Sequence, residues 1–598
     1  MKNLWFAARD HIAQRIGTVL GVPVTAGDLV LPPKPDMGDL AFGCFTVAKE
    51  LQQPPTEVAE KIVKEFGTVN RLVEKMEAAG PFVNITLATG EFIHRMVQDV
   101  EHEGERYAVL DIGKQKRILF EYAQPNTHKS MHVGHLRNLV LGSSIVAILK
   151  HAGWDVVTAS YHGDVGAHVA KCLWWFVKQH QTQQSSEQGE SSWVMDLTLD
   201  QVYAYLDGIP KEQRNGVYLG QLYTDATKAI AADESLKSEV SVVQRALESH
   251  DPVWHKLWQE TRRWSLEEFT DLFEELGVDI DRQYLESEVV DEGQRIVNEL
   301  LEQGVAEASE GAIVVDLEDQ KLGKFLIRKS DGTSLYATKD LALAQLKKQE
   351  YPKMERSILL VDNRQSLYFK QLFATLKRMG YDVPTAHIGY EFLTLKSGAM
   401  SSREGNVVTY PDFRNEVYRY AWKETKVRHE SWSQGQINYT AWAIAIAGIK
   451  FGLLRQDPER IFTFDLEESL SFDGDTGPYV QYAIVRLESI LRRANYPDIR
   501  GNEEPNCRVL EDPKEKALAI AIARLGDVAP RAAEEMRPSL VAHWCLETAR
   551  ISNAFYRDLP VLDAEEDVKN ARLRLAYAAR DGLTMGLKLL GIPVPEAM

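Results

Sequence analysis

Residues 117–137 read RILFEYAQPNTHKSMHVGHLR. Ile118, Leu119, Phe120 and Tyr122 form an apolar, β-leaning run, the pattern of a short buried strand. Pro125 and Asn126 break it. His132-Val133-Gly134-His135 follows, then Leu136, Leu139 and Val140 at helical spacing. The tetrad therefore lies where a strand hands over to a helix N-terminus. Unpaired backbone N–H groups and the positive end of the helix dipole suit an anion there. Two imidazoles one turn apart can donate to phosphate oxygens, and Gly134 lets a flat ring pack on the backbone. Two histidines with no acid between them and no nearby cysteine make a poor zinc set. The chemistry indicated is the holding of a nucleotide triphosphate. The plainer alternative is a pair of surface histidines at a helix start.

Working outward, 598 residues predict several domains. The hydrophobic share of 44% and charged share of 26% are those of an ordinary globular protein. Cys44, Cys172, Cys507 and Cys545 are scattered without a CxxC pair, which argues against a disulfide framework or a cysteine zinc site. No apolar run is expected to reach the length of a membrane span. The first residues, MKNLWFAARDHIAQRIG, read as an amphipathic helix and not a signal peptide. A reducing cytoplasm is the expected setting. The net charge of -18 argues against a general nucleic-acid binder but leaves room for local basic surfaces.

Residues 1–112 read as a separate α+β unit with a Pro/Gly-rich stretch and a strand at 80–87. Residues 113–172 form a β-α-β unit: strand 117–123, helix 133–151 closed by Gly153, and a strand at 155–160. Such a unit implies a parallel sheet with ligands at the strand carboxyl ends. His162-Gly163-Asp164-Val165-Gly166 follows the second strand, so Gly163 and Asp164 are candidates for a sugar or adenine edge. Residues 173–320 read as an insertion without a fold of its own, carrying a polar low-complexity tract at 179–192 and helices at 211–248 and 252–276. The α/β pattern resumes at 321–440, with a tight turn at Asp331-Gly332, a strand at 357–362, a helix at 366–380 and the loop SGAMSSREGN at 397–406. Residues 441–598 show helical apolar spacing throughout and predict a helical bundle. Arg486, Arg492, Arg493 and Arg500 gather in one stretch, and Tyr479, Tyr482 and Tyr556 are candidates for stacking on unpaired bases.

HVGH after one strand, HGDVG after the next and AMSSREGN late in a split α/β region resemble a class I aminoacyl-tRNA synthetase. EYAQPNTHKSMHVGHLRN, SDGTSLYATKD, DTGPYVQYAIVRL, the ending LLGIPVPEAM and the N-terminal MGDLAFGCF with GPFVNITL are similar to the arginyl-tRNA synthetase family. The resemblance implies a multidomain α/β protein. Residues 1–112 would be an N-terminal α+β domain contacting the tRNA elbow. Residues 113–440 would be a split Rossmann-type parallel-sheet catalytic domain with an insertion at about 173–320, and residues 441–598 an all-α anticodon-binding domain. The implied reaction forms arginyl-adenylate from L-arginine and ATP, then arginyl-tRNA(Arg). ATP would enter with Mg2+ as substrate, and no protein-bound structural metal is expected.

The family pattern also places residues. His132, Gly134, His135 and Lys129 fall at the catalytic phosphate site, with Gly163, Asp164, Met400, Ser401, Ser402 and Arg403 also on ATP. Glu121, Asn126, His132, Tyr336, Asp340 and Gln365 match the arginine pocket, where carboxylates suit a planar, permanently charged guanidinium. Tyr482 and Tyr556 match anticodon contacts. The chain departs from the class I loop form KMSKS: Ala399 and Ser402 stand where the two lysines would be. Arg403 in the loop and Lys129, three residues before His132, are the candidate substitute cations, and Lys129 is the one expected. A monomer working away from membranes is expected. Three alternatives stay open: a synthetase for another amino acid, a tRNA-binding paralogue without charging activity, and a small-molecule nucleotidyltransferase.

Overall fold

The computed structural model describes residues 3–67, 71–109, 111–188, 197–330, 335–396, 408–496 and 506–598. The chain opens with α1 (Leu4–Leu20), β1 (Leu29–Val30), β2 (Leu40–Gly43), α2 (Phe45–Leu51), α3 (Pro55–Glu65), β3 (Val73–Ala79), β4 (Phe82–Leu87) and α4 (Thr89–Glu103). The amphipathic reading of α1 holds: Trp5, Ala8, Ile12 and Ile16 face inward, and the Asn3 side chain caps the helix by accepting the Trp5 N–H at 2.9 Å. The four strands form an antiparallel sheet in the order β1-β2-β4-β3. This α+β unit is less separate than its sequence suggests. Its apolar core runs on into the C-terminal helices, and Glu91–Arg508 (2.6 Å), Asp39–Lys516 (2.9 Å) and Glu101–Arg574 (3.1 Å) cross the join.

Apolar runs such as 118–120 and 358–361 need cover on both faces, the condition of a parallel sheet. They lie in β5 (Arg117–Glu121) and in the longer strand Met354–Asp362. After β5 come α5 (Val133–His151), β6 (Asp155–His162), α6 (Ala167–Gln188), α7 (Leu199–Asp207), α8 (Gly216–Ala232), α9 (Lys237–Glu248) and α10 (Pro252–Glu275). Next are β7 (Arg282–Leu285), α11 (Val290–Glu302), β8 (Glu307–Ser309), β9 (Ala312–Asp316), β10 (Lys324–Arg328), α12 (Tyr336–Glu350), β11 (Met354–Asp362), α13 (Ser366–Arg378), β12 (Thr385–Tyr390) and β13 (Leu393–Leu395). The central sheet has the order β12-β11-β5-β6-β7, every pair parallel. The chain winds one way from β5 to β7 and the other way from β11 to β12. The topological switch, where ligands settle in such sheets, is therefore at the carboxyl ends of β5 and β11.

Two expectations need correcting. β7 belongs to the central sheet although it lies inside the stretch read as an insertion. Helices α6 to α10 also have an apolar core of their own, built on Val169, Trp174, Leu219, Trp254 and Trp264 among others. The predicted turn at Asp331-Gly332 lies outside the described residues.

The remainder is α14 (Tyr410–Arg428), α15 (Gln434–Arg455), β14 (Phe462–Phe464), α16 (Leu466–Ser469), α17 (Gly477–Arg493), α18 (Pro513–Ala523), α19 (Leu525–Glu535), α20 (Pro538–Asp558) and α21 (Glu566–Leu589). The expected boundary at 441 falls inside α15, and β14 pairs with β13 of the preceding part. Contrary to expectation, α15 is long and apolar enough to cross a membrane; it is instead a core helix, with 78% of its apolar window buried.

The strand-to-helix unit is held by close packing. A Cβ at Gly142 of α5 would come within 2.1 Å of the Tyr122 ring. Gly142→Ala is expected to destabilise the fold by about 1–3 kcal/mol through overpacking, read as a lower thermal midpoint.

Candidate active site

His132 caps α5. Its Nδ1 accepts the Gly134 N–H at 3.1 Å, and His135 Nδ1 accepts the His132 N–H at 3.2 Å. The rings stack with centroids 3.8 Å apart. Each Nδ1 is thus an acceptor, which leaves the proton of each neutral ring on Nε2. Burial, then the Lys129 charge, holds His132 below its ordinary value. Burial, His132 and Lys129 hold His135 well below. The rings can offer Nε2–H donors without carrying charge. The expected supply of unpaired helix N–H groups is corrected here. Val133 N–H goes to Val408 O (3.2 Å), Gly134 N–H to the His132 ring, and His135 N–H to His132 O (2.8 Å). Anion contacts then fall to side chains.

Lys129 is half-buried, and its ammonium lies 4.8 Å from the centre of the Tyr223 ring. Burial and Lys171 lower its pKa, while its own charge acts on His132, His135 and His168. Among the described residues it is the lysine whose charge is felt at both His132 and His135. Gly163 and Asp164 are built into the fold of their loop. A Cβ on Gly163 would meet Asn126 Oδ1 at 2.5 Å, so the glycine is needed for packing. Asp164 is fully buried. Its carboxylate takes Arg262 (3.0 Å), the Ser287 N–H (2.9 Å) and the Ser287 hydroxyl (2.7 Å), so it fixes the loop. Met400, Ser401, Ser402 and Arg403 lie outside the described residues.

Across the switch point sits an acidic cluster. Glu121, at the end of β5, is buried and paired with Lys347 of α12, and it also accepts from Gln124 at 2.7 Å. Sequence reading matched Glu121 to the arginine pocket without foreseeing its partner: a carboxylate this buried needs a counter-charge, and Lys347 supplies it. Glu286 is likewise paired with Lys339. Asp340 is different. Its one assigned hydrogen bond comes from the Tyr368 hydroxyl, and among the described residues it forms no ion pair. Burial pushes its pKa up to about 7, against the Tyr368 bond and helped by Glu121. Tyr161 points to the same place. Its hydroxyl is buried without a partner among the described residues, and Asp340, Glu286 and Glu121, after burial, hold its pKa well above the ordinary value.

Tyr336 opens α12 and is exposed, with Lys339 over its ring at 5.1 Å and Asp340 acting on it. Gln365 is exposed at the turn before α13; the residue from that helix that reaches the cluster is Tyr368, three positions on. Sequence reading missed Tyr161, Glu286, Lys339, Lys347 and Tyr368. Lys347 alone left a signal, two helical turns from Asp340 on the same face. Among the described residues no group of three or more His, Cys, Asp or Glu is placed to hold a metal ion.

Far from the sheet, Arg486 of α17 lies over two rings, 5.4 Å from Tyr482 and 4.3 Å from Tyr556. Tyr482 also lines a cavity of about 610 Å³ with Arg428, His429, Phe472 and Met598. Tyr479 is engaged by Asn553 at 3.0 Å, and Arg500 lies outside the described residues. On the N-terminal unit, Phe45 and Phe82 are exposed and meet edge to face at 5.3 Å.

Comparison with known proteins agrees with this layout. Residues 7–87 match the arginyl tRNA synthetase N terminal domain, residues 96–203 and 202–466 the class I (R) tRNA synthetase catalytic domain, and residues 480–598 the DALR anticodon binding domain. An arginine–tRNA ligase of Bdellovibrio bacteriovorus is 35% identical over 584 residues, covering 95% of this chain and 94% of that one. A Clostridium acetobutylicum arginine–tRNA ligase is 31% identical, covering 98% and 99%. The structure of Thermus thermophilus arginyl-tRNA synthetase superposes over 100% of both chains with a TM-score of 0.78 at 27% identity. With all three of its domains and nearly its whole length matched, the chain belongs to the arginyl-tRNA synthetase family.

Proposed function

We propose that the chain joins L-arginine to tRNA(Arg) in two steps, with its chemistry at the β5–β11 switch point. In the first, an arginine carboxylate oxygen attacks the α-phosphorus of ATP and pyrophosphate leaves. In the second, a ribose hydroxyl at the tRNA 3′ end attacks the activated carbonyl and AMP leaves. The observation that carries this reading is the acidic cluster. Two of its carboxylates are balanced by lysines, and Asp340 is left for one cation beside the orphan Tyr161 hydroxyl. A guanidinium fits that single vacancy. Glu121, Asn126, Tyr336 and Gln365 line or shape the same pocket. His132 and His135 offer Nε2–H donors to the phosphates, and Lys129 carries the positive charge. Positioning and charge stabilisation are what such a transfer needs. ATP enters with Mg2+ held on its own phosphates. The four free, buried cysteines fit a reducing cytoplasm, where we place the protein as a monomer. The direct test is charging of total tRNA with each labelled amino acid. Arginine alone should be incorporated, and incorporation of another amino acid in its place would refute the reading.

tRNA is proposed to bind along one side of the molecule. Phe45 and Phe82 offer an aromatic surface for the elbow, and Tyr556 and Tyr482, braced by Arg486, one for the anticodon loop. Stacking on an aromatic contributes ~1–3 kcal/mol per base. Tyr556→Ala is expected to weaken tRNA binding by that amount, read by filter binding and the tRNA KM, with arginine and ATP KM unchanged. A defect confined to ATP would contradict it.

A further inference from the structure

Both loops of the phosphate corner are gripped from outside the sheet, by one face of α10. Trp258, Thr261, Arg262 and Ser265 recur at i, i+3, i+4 and i+7, so they share a stripe. Trp258 Nε1 donates to Asp164 O at 2.7 Å, and Arg262 pairs with the Asp164 carboxylate at 3.0 Å. The other two reach His128, whose N–H donates to Ser265 Oγ at 3.1 Å and whose Nε2 lies 2.9 Å from Thr261 Oγ1. His128, Thr261, Ser265 and Asp164 are all buried.

Both ring nitrogens of His128 are matched in this network. Thr261 Oγ1 lies 2.8 Å from Leu257 O, 3.2 Å from Trp258 O and 2.9 Å from the His128 ring, so the hydroxyl ties the imidazole to the main chain of α10. His128 Nδ1 lies 2.9 Å from the Thr127 hydroxyl, which is in turn 3.2 Å from Gly163 O, so one ring nitrogen donates to a threonine and the other accepts from one. Burial, with His168 and Arg262, holds the ring down at about 3, so it stays neutral near neutral pH. The grip holds a conformation the backbone would not choose alone: His128 has φ 59°. Lys129 is the next residue. Ser130 after it is packed so tightly on α8 that a Cβ at Gly220 would come within 2.1 Å of its hydroxyl. The far end of α10 is also fixed. Glu275 takes the Tyr410 hydroxyl at 2.9 Å and Arg414, and Leu276 O takes the Lys450 ammonium at 2.6 Å.

We propose that the polar stripe of α10 is a positioning device for adenylate formation, fixing residues 127–130, and Lys129 with them, relative to the His132–His135 pair. The proposal rests on the reading of Lys129 given above. It assigns the helical insertion a part in the first chemical step, and it makes Thr261 and Ser265 positioning residues that touch no substrate.

The test uses the full chain with tRNA and reads arginine-dependent ATP–pyrophosphate exchange. Thr261→Val keeps the side-chain volume and removes the hydroxyl, leaving the buried His128 Nε2 unmatched. It is expected to lower kcat about 10²-fold, the effect of a 1 Å misplacement, with arginine KM unchanged. Thr261→Ser, which restores the hydroxyl, should recover most of the loss. Circular dichroism and the thermal midpoint report folding, and if Thr261→Val fails to fold, Ser265→Ala carries the same expectation. A folded Thr261→Val with normal kcat overturns the proposal, as does equal impairment of Thr261→Ser. Lys129→Ala run alongside separates the two ideas. Normal kcat in that variant overturns the lysine reading, whereas impaired Lys129→Ala beside an unimpaired Thr261→Val overturns the stripe alone.

Discussion

Lys129→Ala is expected to lower kcat for adenylate formation by about 10²–10³, the cost of one preorganised transition-state contact, with the arginine KM unchanged. Negative charge builds on the departing pyrophosphate. The two histidines proposed to meet it are neutral, and the first N–H groups of α5 are already bonded. In a loop that reads AMSSR, Ser402 stands in place of a lysine. Lys129 is the cation whose field reaches both imidazoles. Ser402→Lys in the Lys129→Ala background should restore part of the rate. Rapid-quench measurement of adenylate separates this step from tRNA transfer. Normal kcat in Lys129→Ala together with a large loss in Arg403→Ala would assign the charge to the loop arginine instead.

Asp340→Asn is expected to weaken arginine binding by about 2–5 kcal/mol, the usual loss when one side of a buried charge pair is removed. The ATP KM should not move. Wild-type affinity should also depend on pH, and the sign follows from the group. Burial raises the Asp340 pKa to about 7, and only the ionised form pairs with a guanidinium that is charged at any working pH. The arginine KM should therefore fall as pH rises through about 7 and level off above it. In Asp340→Asn this dependence should vanish. A wild-type KM flat across that range, or an Asp340→Asn enzyme with an unchanged arginine KM, would show that the cation sits elsewhere.

Much of this architecture could be read from local pattern. The helix expected at 133–151 is Val133–His151, because both ends carry their own stop signals: the His132 cap and Gly153 at φ 84°. The strand at 117–123 is Arg117–Glu121 for the same reason, Pro125 breaking it. The site was legible wherever a motif carries its own spacing, as in HVGH and YATKD. It was illegible where function depends on partners distant in sequence. Lys347 neutralises Glu121 from 226 positions away, and no periodicity announces a pair at that range. Glu286 lay in a stretch read as insertion, so its membership of the pocket was hidden by the missed strand β7. Asp164 shows the same limit. Its motif is legible, but the partners that hold its carboxylate, Arg262 and Ser287, lie 98 and 123 positions away.

The segment leaving the AMSSR loop is joined to the histidine motif on both sides of His132: Tyr410 N–H to Met131 O at 2.9 Å, and Val133 N–H to Val408 O at 3.2 Å. These are main-chain atoms, which nearly every residue type supplies alike. The tether is therefore blind to the alphabet of the loop. Lysines at 399 and 402 can be lost without loosening the place where the loop rejoins the site, so its side chains can drift while its anchorage stays the same.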